Sequence, residues 1–185
     1  MERKEIETKY SIRKLSKSED VTSFNCGDDD LNDFILHEAK LYRKALLAVS
    51  YVLESNDGHQ VCAYFSMAND RISLSDFDNK TEFNRFRKHR FVNEKRLRSY
   101  PAVKLCRLAV DVSLRGNTIG TYLLNFIKSF FVVNNKTGCR FLTVDAYVGA
   151  IPFYEKNGFV PLNGDDKDSS TRLLYFDLND IAGDD

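Results

Sequence analysis

The most constraining stretch of this sequence is residues 103–111, a nearly continuous apolar run that passes through a polar, glycine-containing turn into an amphipathic helix. Such a run suits a buried central strand. Alternation puts Leu105, Arg107, Ala109 and Asp111 on one face, and Cys106, Leu108 and Val110 on the other. After the turn at 113–120, the residues Ile119, Leu123, Leu124, Ile127, Phe130 and Phe131 recur at helical spacing. A strand feeding a helix through Arg115-Gly116-Asn117-Thr118-Ile119-Gly120 presents unpaired backbone N–H groups beside the positive end of the helix dipole. That is a cradle for a phosphate or pyrophosphate; equally, it is a plain strand-to-helix connection. The turn has neither the G-K-[ST] of a Walker loop nor the glycine spacing of a dinucleotide fingerprint.

The rest of the chain supplies a sheet around this unit. Residues 10–15 read as a first strand, and Asp28-Asp29-Asp30 offers N-cap residues ahead of Leu31, Phe34, Ile35, Leu36 and Ala39, spaced as one helical face. Two β-like runs, 48–53 and 61–67, flank Asn56-Asp57-Gly58, which is hairpin chemistry. Downstream, 139–146 reads as another buried strand. A short helix around 152–156 ends at Asn157-Gly158, and 159–162 and 171–178 close the chain as strands. With no repeat or low-complexity linker, residues 1–185 are expected to form one domain of α/β (mixed α+β) class, with a central, mixed, largely antiparallel sheet of about six or seven strands flanked by helices.

Composition narrows the classes further. The 185 residues are 43% hydrophobic and 29% charged, which excludes a disordered or membrane-embedded chain. No apolar stretch approaches a bilayer span and the first residues carry no apolar signal core, so a cytoplasmic protein without membrane association is expected. Four cysteines lack any C-x-x-C and three histidines lack ligand spacing; neither a disulfide framework nor a metal is expected. The 27 basic and 27 acidic residues balance but are unevenly placed. Residues 80–98 hold Lys80, Arg85, Arg87, Lys88, Arg90, Lys95, Arg96 and Arg98 against Glu82 and Glu94, interleaved with Phe83, Phe86 and Phe91. This segment reads either as a phosphate-binding surface with aromatics for stacking, or as a solvated helix with its Phe stripe on the core. The acidic tail over 165–185 reads as a solvating surface.

Several ordered motifs now align with one family. Arg115, Thr118 and Gly120 match Q/R-x-x-G-x-G/A after a buried strand, except that threonine replaces the first glycine. Ala150, Phe153, Tyr154, Gly158 and Phe159 match A-x-x-F-Y-x-x-x-G-F. The sequence resembles the GNAT superfamily of acetyl-CoA-dependent N-acetyltransferases across roughly residues 10–178. The likeness is nearest the branch of tRNA-acetylating toxins, whose strand reads like Arg107-Leu108-Ala109-Val110-Asp111. Their F-x-C-G-x-x-x-L-x-x-F pattern reappears as Phe24, Cys26, Gly27, Leu31 and Phe34. The segment from about 76 to 99 is longer than the matching connection in the compact toxins and reads as an inserted basic stretch near the acceptor side.

The resemblance implies a GNAT-like fold, acetyl-CoA as cosubstrate, and acetyl transfer to a primary amine by direct attack. It assigns cofactor binding to Leu108, Ala109 and Val110 of the strand and to Arg115, Gly116, Asn117, Thr118, Ile119, Gly120 and Thr121 of the turn and helix start. Backbone groups of Leu108 and Val110 would pair with the pantetheine arm and polarise the thioester carbonyl. The strand over 141–146 would splay away to admit that arm. Tyr154 is the expected general acid, since a phenol with an ordinary pKa of about 10 is protonated at neutral pH. The other reading of Tyr154 is a core tyrosine clustered with Phe153 and Phe159. Asp111, Asp145 or water remain open as the base. Arg107 and Asp145 are the candidate acceptor-side residues; Arg107 either orients the acceptor or pairs with a carboxylate at the sheet surface. Cys106 as an acylated nucleophile stands against ordinary buried packing. The acceptor is left open between aminoacyl-tRNA and other amines. The toxin reading adds an antitoxin partner, exposed sheet edges suggest a homodimer, and a non-catalytic CoA-sensing module is the competing class.

Overall fold

Alternating burial along the strands turns this sequence into a seven-stranded, mostly antiparallel sheet in the order β1-β2-β3-β4-β5-β7-β6. In the computed structural model, residues 1–133, 137–164 and 169–182 are described; of the acidic stretch expected to be a solvating surface, 165–168 and 183–185 lie outside the described residues, whereas residues 174–178, Asp177 included, are buried on and just after the last strand. The strands are β1 (Tyr10–Lys14), β2 (Val49–Ser55), β3 (Val61–Ser73), β4 (Ser99–Val110), β5 (Phe141–Tyr147), β6 (Val160–Pro161) and β7 (Thr171–Asp177). The helices are α1 (Arg3–Lys9), α2 (Asp29–Asp33), α3 (Ala39–Lys44), α4 (Lys80–Arg90), α5 (Ile119–Val133) and α6 (Ile151–Lys156). The mixed α/β class and the strand count follow the sequence expectation. The chain divides into two compact units that interleave along it: Met1–Ala68 with Leu105–Ile127, and Asn69–Lys104 with Lys128–Asp185.

In the first unit, β1, β2 and β3 pair antiparallel, with Tyr10 opposite Ser55 and Val49 opposite Met67. Asp28 caps α2 by accepting the Leu31 N–H at 3.1 Å, and a π-helical turn over Phe34–Glu38 joins α2 to α3. The buried face is Leu15, Val21, Phe24, Cys26, Phe34, Ile35, Ala39, Val52, Tyr64 and Ala109. Phe24 meets Tyr64 edge-on at 5.2 Å, and Phe34 stacks on the same ring at 6.3 Å. The Tyr64 hydroxyl is satisfied by donating to the Leu31 carbonyl at 2.7 Å. Across β2 and β3, the fully buried Ser50 and Ser66 hydroxyls bond each other at 2.8 Å, so neither is left orphaned.

In the second unit, β5 pairs antiparallel with β7, Phe141 opposite Asp177, and β6 with β7. β4 runs parallel to β5 over Ala102–Lys104, opposite Phe141–Thr143. Asn79 starts α4 by accepting the Glu82 N–H at 3.0 Å, and the helix buries Phe83 and Phe86, three apart on one face. These rings join Ile72, Tyr100, Ala102, Phe141, Leu162 and Tyr175 in the core. Phe91 stacks on Tyr100 at 4.1 Å, completing the Phe stripe read from the sequence.

Gly27 is the tightest point of the first unit. Its φ is +74°, and an added Cβ would lie 3.1 Å from an Arg115 guanidinium nitrogen and 3.3 Å from Val112 Cγ1. Gly27→Ala combines left-handed strain of about 1–2 kcal/mol with that crowding. It should lower the urea midpoint at unchanged m-value, while an exposed control such as Gly138→Ala leaves it in place.

Candidate active site

The turn after β4 is built from both ends. Asp111 closes the strand: its N–H donates to the Cys62 carbonyl at 2.9 Å, and its carboxylate accepts the Ser113 N–H at 3.0 Å and the Ser113 hydroxyl at 2.7 Å. The Asn25 N–H reaches the other carboxylate oxygen at 3.4 Å. Burial acts to raise the Asp111 pKa, but these hydrogen bonds outweigh it and hold the carboxyl below the usual carboxylate range. Both oxygens of this candidate base are therefore engaged in shaping the turn. Farther on, the Arg115 guanidinium donates to the Cys26 carbonyl. The Phe24-Asn25-Cys26-Gly27 stretch is thus the buttress of the turn. Asn25 Oδ1 accepts the Gly27 N–H and Asn32 Oδ1 accepts the Cys26 N–H, each at 2.8 Å.

The helix start has the geometry of an anion cradle. Gly116 has φ +79°, and an added Cβ there would meet no atom within 4 Å, so the space beside it is open. Ile119, Gly120 and Thr121 form the first turn of α5, whose N–H groups have no intrahelical acceptor. The pyrophosphate of an acyl-CoA fits this donor set, with Arg115 to Thr121 as the residues that would hold it. Thr118 sits at φ +61°, a conformation that glycine adopts freely and a β-branched residue only under strain. Its hydroxyl lies 2.8 Å from the Met1 carbonyl and 2.6 Å from the Asn117 carbonyl. The threonine therefore occupies a backbone conformation that suits glycine.

Within the same unit, Ala109 is buried while Leu108 and Val110 are half-buried. Arg107 lies with its guanidinium carbon 5.1 Å from the Phe34 ring centroid and pairs with Asp30 at 3.7 Å. It is thus held against the helical layer, as in the carboxylate-pairing alternative.

The second unit carries Tyr154. Its ring is 7% exposed on α6, edge-on to Phe153 at 5.2 Å and to Phe159 at 5.5 Å. The aromatic cluster read from the sequence is present. Among the described residues, the phenol oxygen has no hydrogen-bond partner, and burial pushes its pKa up to about 12. A phenol so placed stays protonated across the physiological range and has its proton free to give. Asp145 on β5 is half-exposed and ion-paired with Lys104. Beside it, the Thr143 hydroxyl donates to Asp70.

Two features escaped the sequence reading. Lys128 is buried on α5, although its position four after Leu124 and three before Phe131 already put it on the apolar face. The basic segment also divides. Arg87 donates to the Arg96 and Leu97 carbonyls, and Arg90 lies over Phe86 and Tyr175 while donating to the Tyr175 hydroxyl. Those two are structural. Arg85 and Lys88 are exposed and make no ion pair among the described residues.

Comparison with known proteins places this arrangement. A family model described as an acetyltransferase (GNAT) domain matches residues 79–161. No curated protein matches the chain. Among solved structures, a tyrosine-to-phenylalanine mutant of KacT is similar with a TM-score of 0.73 and 24% identity, covering 94% of this chain and 97% of that one. AtaT complexed with acetyl-methionyl-tRNAfMet gives 0.70 and 24%, covering 93% and 96%. A tyrosine-to-phenylalanine mutant of the AtaT toxin, bound to the C-terminus of the antitoxin AtaR and acetyl-CoA, gives 0.64 and 24%, covering 94% and 96%. At these identities the likeness is one of fold. Residues 79–161 thus match the description of a GNAT acetyltransferase domain, and the chain has a fold similar to that of KacT and AtaT.

Proposed function

We propose that this protein transfers the acetyl group of acetyl-CoA to the amino group of an aminoacyl-tRNA, acting as one acetyltransferase domain over residues 1–185. The observation that carries the transfer chemistry is Tyr154, whose ring is buried on α6 with its phenol kept protonated and without a hydrogen-bond partner among the described residues. Backbone N–H groups from Arg115 to Thr121 hold the pyrophosphate, with the guanidinium–Cys26 bond keeping that turn in shape. Backbone groups of Leu108, Ala109 and Val110 align the pantetheine arm and polarise the thioester carbonyl. The neutral amine attacks that carbonyl carbon and the C–S bond breaks. Tyr154 gives its proton to the departing thiolate, and the amine's extra proton leaves to water or to a base. Neither carboxylate candidate is favoured as that base, because Asp111 is engaged in its turn and Asp145 in an ion pair.

Two observations support aminoacyl-tRNA as the acceptor. AtaT, similar in fold, is complexed with an acetylated aminoacyl-tRNA. The outer face of α4 presents Arg85 and Lys88, and Arg85 and His89 rim a recess of about 360 Å³ lined by Phe77, Phe86 and Leu162. Exposed cations beside aromatic surface suit a nucleic-acid backbone and its bases. The same comparison favours an antitoxin as protein partner, since mutant AtaT is bound to the C-terminus of AtaR. A cytoplasmic location and a homodimer belong to this reading; among the described residues, no helix is long and apolar enough to cross a membrane.

Tyr154→Phe should lower kcat roughly tenfold or more while the acetyl-CoA KM stays put. The wild-type kcat should hold from pH 7 to pH 10, because deprotonation of the acid begins only near a pKa of about 12. Undiminished turnover in the variant, or a wild-type decline centred near pH 9, would refute the role. Turnover with no amine at all would leave a CoA-binding module.

Thr118→Gly keeps the backbone shape and removes the Cβ and the hydroxyl bond to Met1. Calorimetric titration should show CoA binding several-fold tighter, corresponding to roughly 1 kcal/mol; weaker binding would mean the threonine contributes contacts of its own. Reversing charge at Arg85 and Lys88 together should raise the KM for aminoacyl-tRNA at least tenfold, which corresponds to about 1.4 kcal/mol, without altering that for acetyl-CoA. An unchanged tRNA KM would return α4 to a purely structural role.

A further inference from the structure

Lys128 is 7% exposed, in the middle of the apolar face of α5. Lysine is almost never buried so deeply, and methionine would fill the same volume without desolvating a cation. The ammonium is instead held by particular partners. Its Nζ donates to the Asn157 carbonyl at 2.5 Å, lies 3.8 Å from the centroid of the Phe176 ring and 5.4 Å from that of Phe159. Burial pushes its pKa below the ordinary lysine value.

Asn157 and Phe159 belong to the turn that ends α6, and Phe176 lies on β7, onto which that turn packs. Asn157 is the C-cap, and its N–H and that of Phe159 both return to the Tyr154 carbonyl, at 3.0 and 3.1 Å. Gly158 follows at φ +82°, with space for a Cβ blocked by Phe176 at 3.1 Å. The turn is thus pressed onto the ring over which the ammonium sits. Beyond it, Phe159 meets Tyr154 edge-on. Because the Tyr154 hydroxyl has no hydrogen-bond partner among the described residues, packing alone aims the phenol.

We propose that Lys128 is a positioning residue for Tyr154: its ammonium, clamped between the Asn157 carbonyl and the faces of Phe176 and Phe159, fixes the turn after α6 and thereby the direction of the phenol. The favourable placement of a cation at the carbonyl end of a helix adds to the hold. The role rests on the reading of Tyr154 as proton donor. Lys128 itself touches no reacting atom.

The test is Lys128→Met, which keeps length and apolar volume and removes charge and donor. Thermal melting, steady-state kinetics and the fluorine resonance of 3-fluorotyrosine placed at position 154 are compared with wild type. The expected result is an unchanged melting temperature, an acetyl-CoA KM within about twofold, kcat lowered roughly tenfold, and a broadened or split fluorine line. An unchanged fluorine line overturns the proposal whatever the kinetics. If the methionine variant does not fold, Lys128→Arg, which keeps cation and donor, must retain the wild-type line; its loss overturns the proposal equally. Tyr154→Phe run alongside separates the two ideas. If that variant keeps full turnover the proton-donor reading fails, while the fluorine line still reports whether Lys128 aims the ring.

Discussion

The turn between β4 and α5 holds its shape because a side chain inside it reaches out to a main-chain carbonyl far away in sequence. The Arg115 guanidinium donates to the carbonyl of Cys26, and the left-handed Gly27 next to it leaves room for that guanidinium. Asp111 secures the other end through Ser113 and Asn25. The turn bonds to itself only in part, through the Leu114, Arg115 and Asn117 N–H groups, so much of its order comes from side chains and neighbouring backbone. This explains why a cysteine–glycine pair near the start of the chain accompanies a glycine turn some ninety residues later: one is the support of the other. The charged-to-carbonyl bond is of the stronger kind and is partly shielded from water.

Tyr154 illustrates the same economy from the opposite direction. Its ring is fixed by Phe153 and Phe159, and its hydroxyl is left without a protein partner among the described residues. A buried phenol ordinarily finds an acceptor. Here the burial of the ring keeps the proton on, by raising the pKa. The two readings open in the sequence, an aromatic-cluster residue and an acid, are therefore compatible: the same cluster that buries the ring holds its pKa up.

Much of the fold was legible because its signals are periodic. The alternation over 103–111, the helical spacing from Ile119 to Phe131 and the hairpin chemistry at Asn56-Asp57-Gly58 all correspond to observed elements. The misses have physical causes. Helix α1 has Ile6 as its buried residue and is braced by the Arg3–Glu7 and Lys9–Glu5 pairs, which hydrophobic periodicity does not register. β3 runs on to Ser73 past Asn69, Asp70 and Arg71, because pairing continues where burial pauses. Lys128 sat in plain view on an apolar face but was passed over, since a periodicity count scores only apolar residues. The basic segment reads as one block in sequence; the structure separates cations bonded to carbonyls and rings from those facing solvent. In the family motif, Thr118 registers only as an added side chain; its φ of +61° is a left-handed conformation that sequence alone does not reveal.

The interleaving of the two units bears on how the chain can be handled. Each unit is assembled from two separated stretches, so the polypeptide passes from one to the other at residues 68–69, 104–105 and 127–128. No single cut separates the units cleanly: a cut after residue 127 keeps the first whole only with 69–104 attached, and a cut after residue 68 keeps the second whole only with 105–127 attached. Limited proteolysis should therefore not release a stable half, and a ribosome must emit residue 127 before the first unit has all its parts. Assembly dominated by such distant pairings favours slow, late cooperative folding over stepwise closure from the N-terminus. For a chain of this topology, any fragment that keeps one unit whole also carries an unpaired stretch of the other.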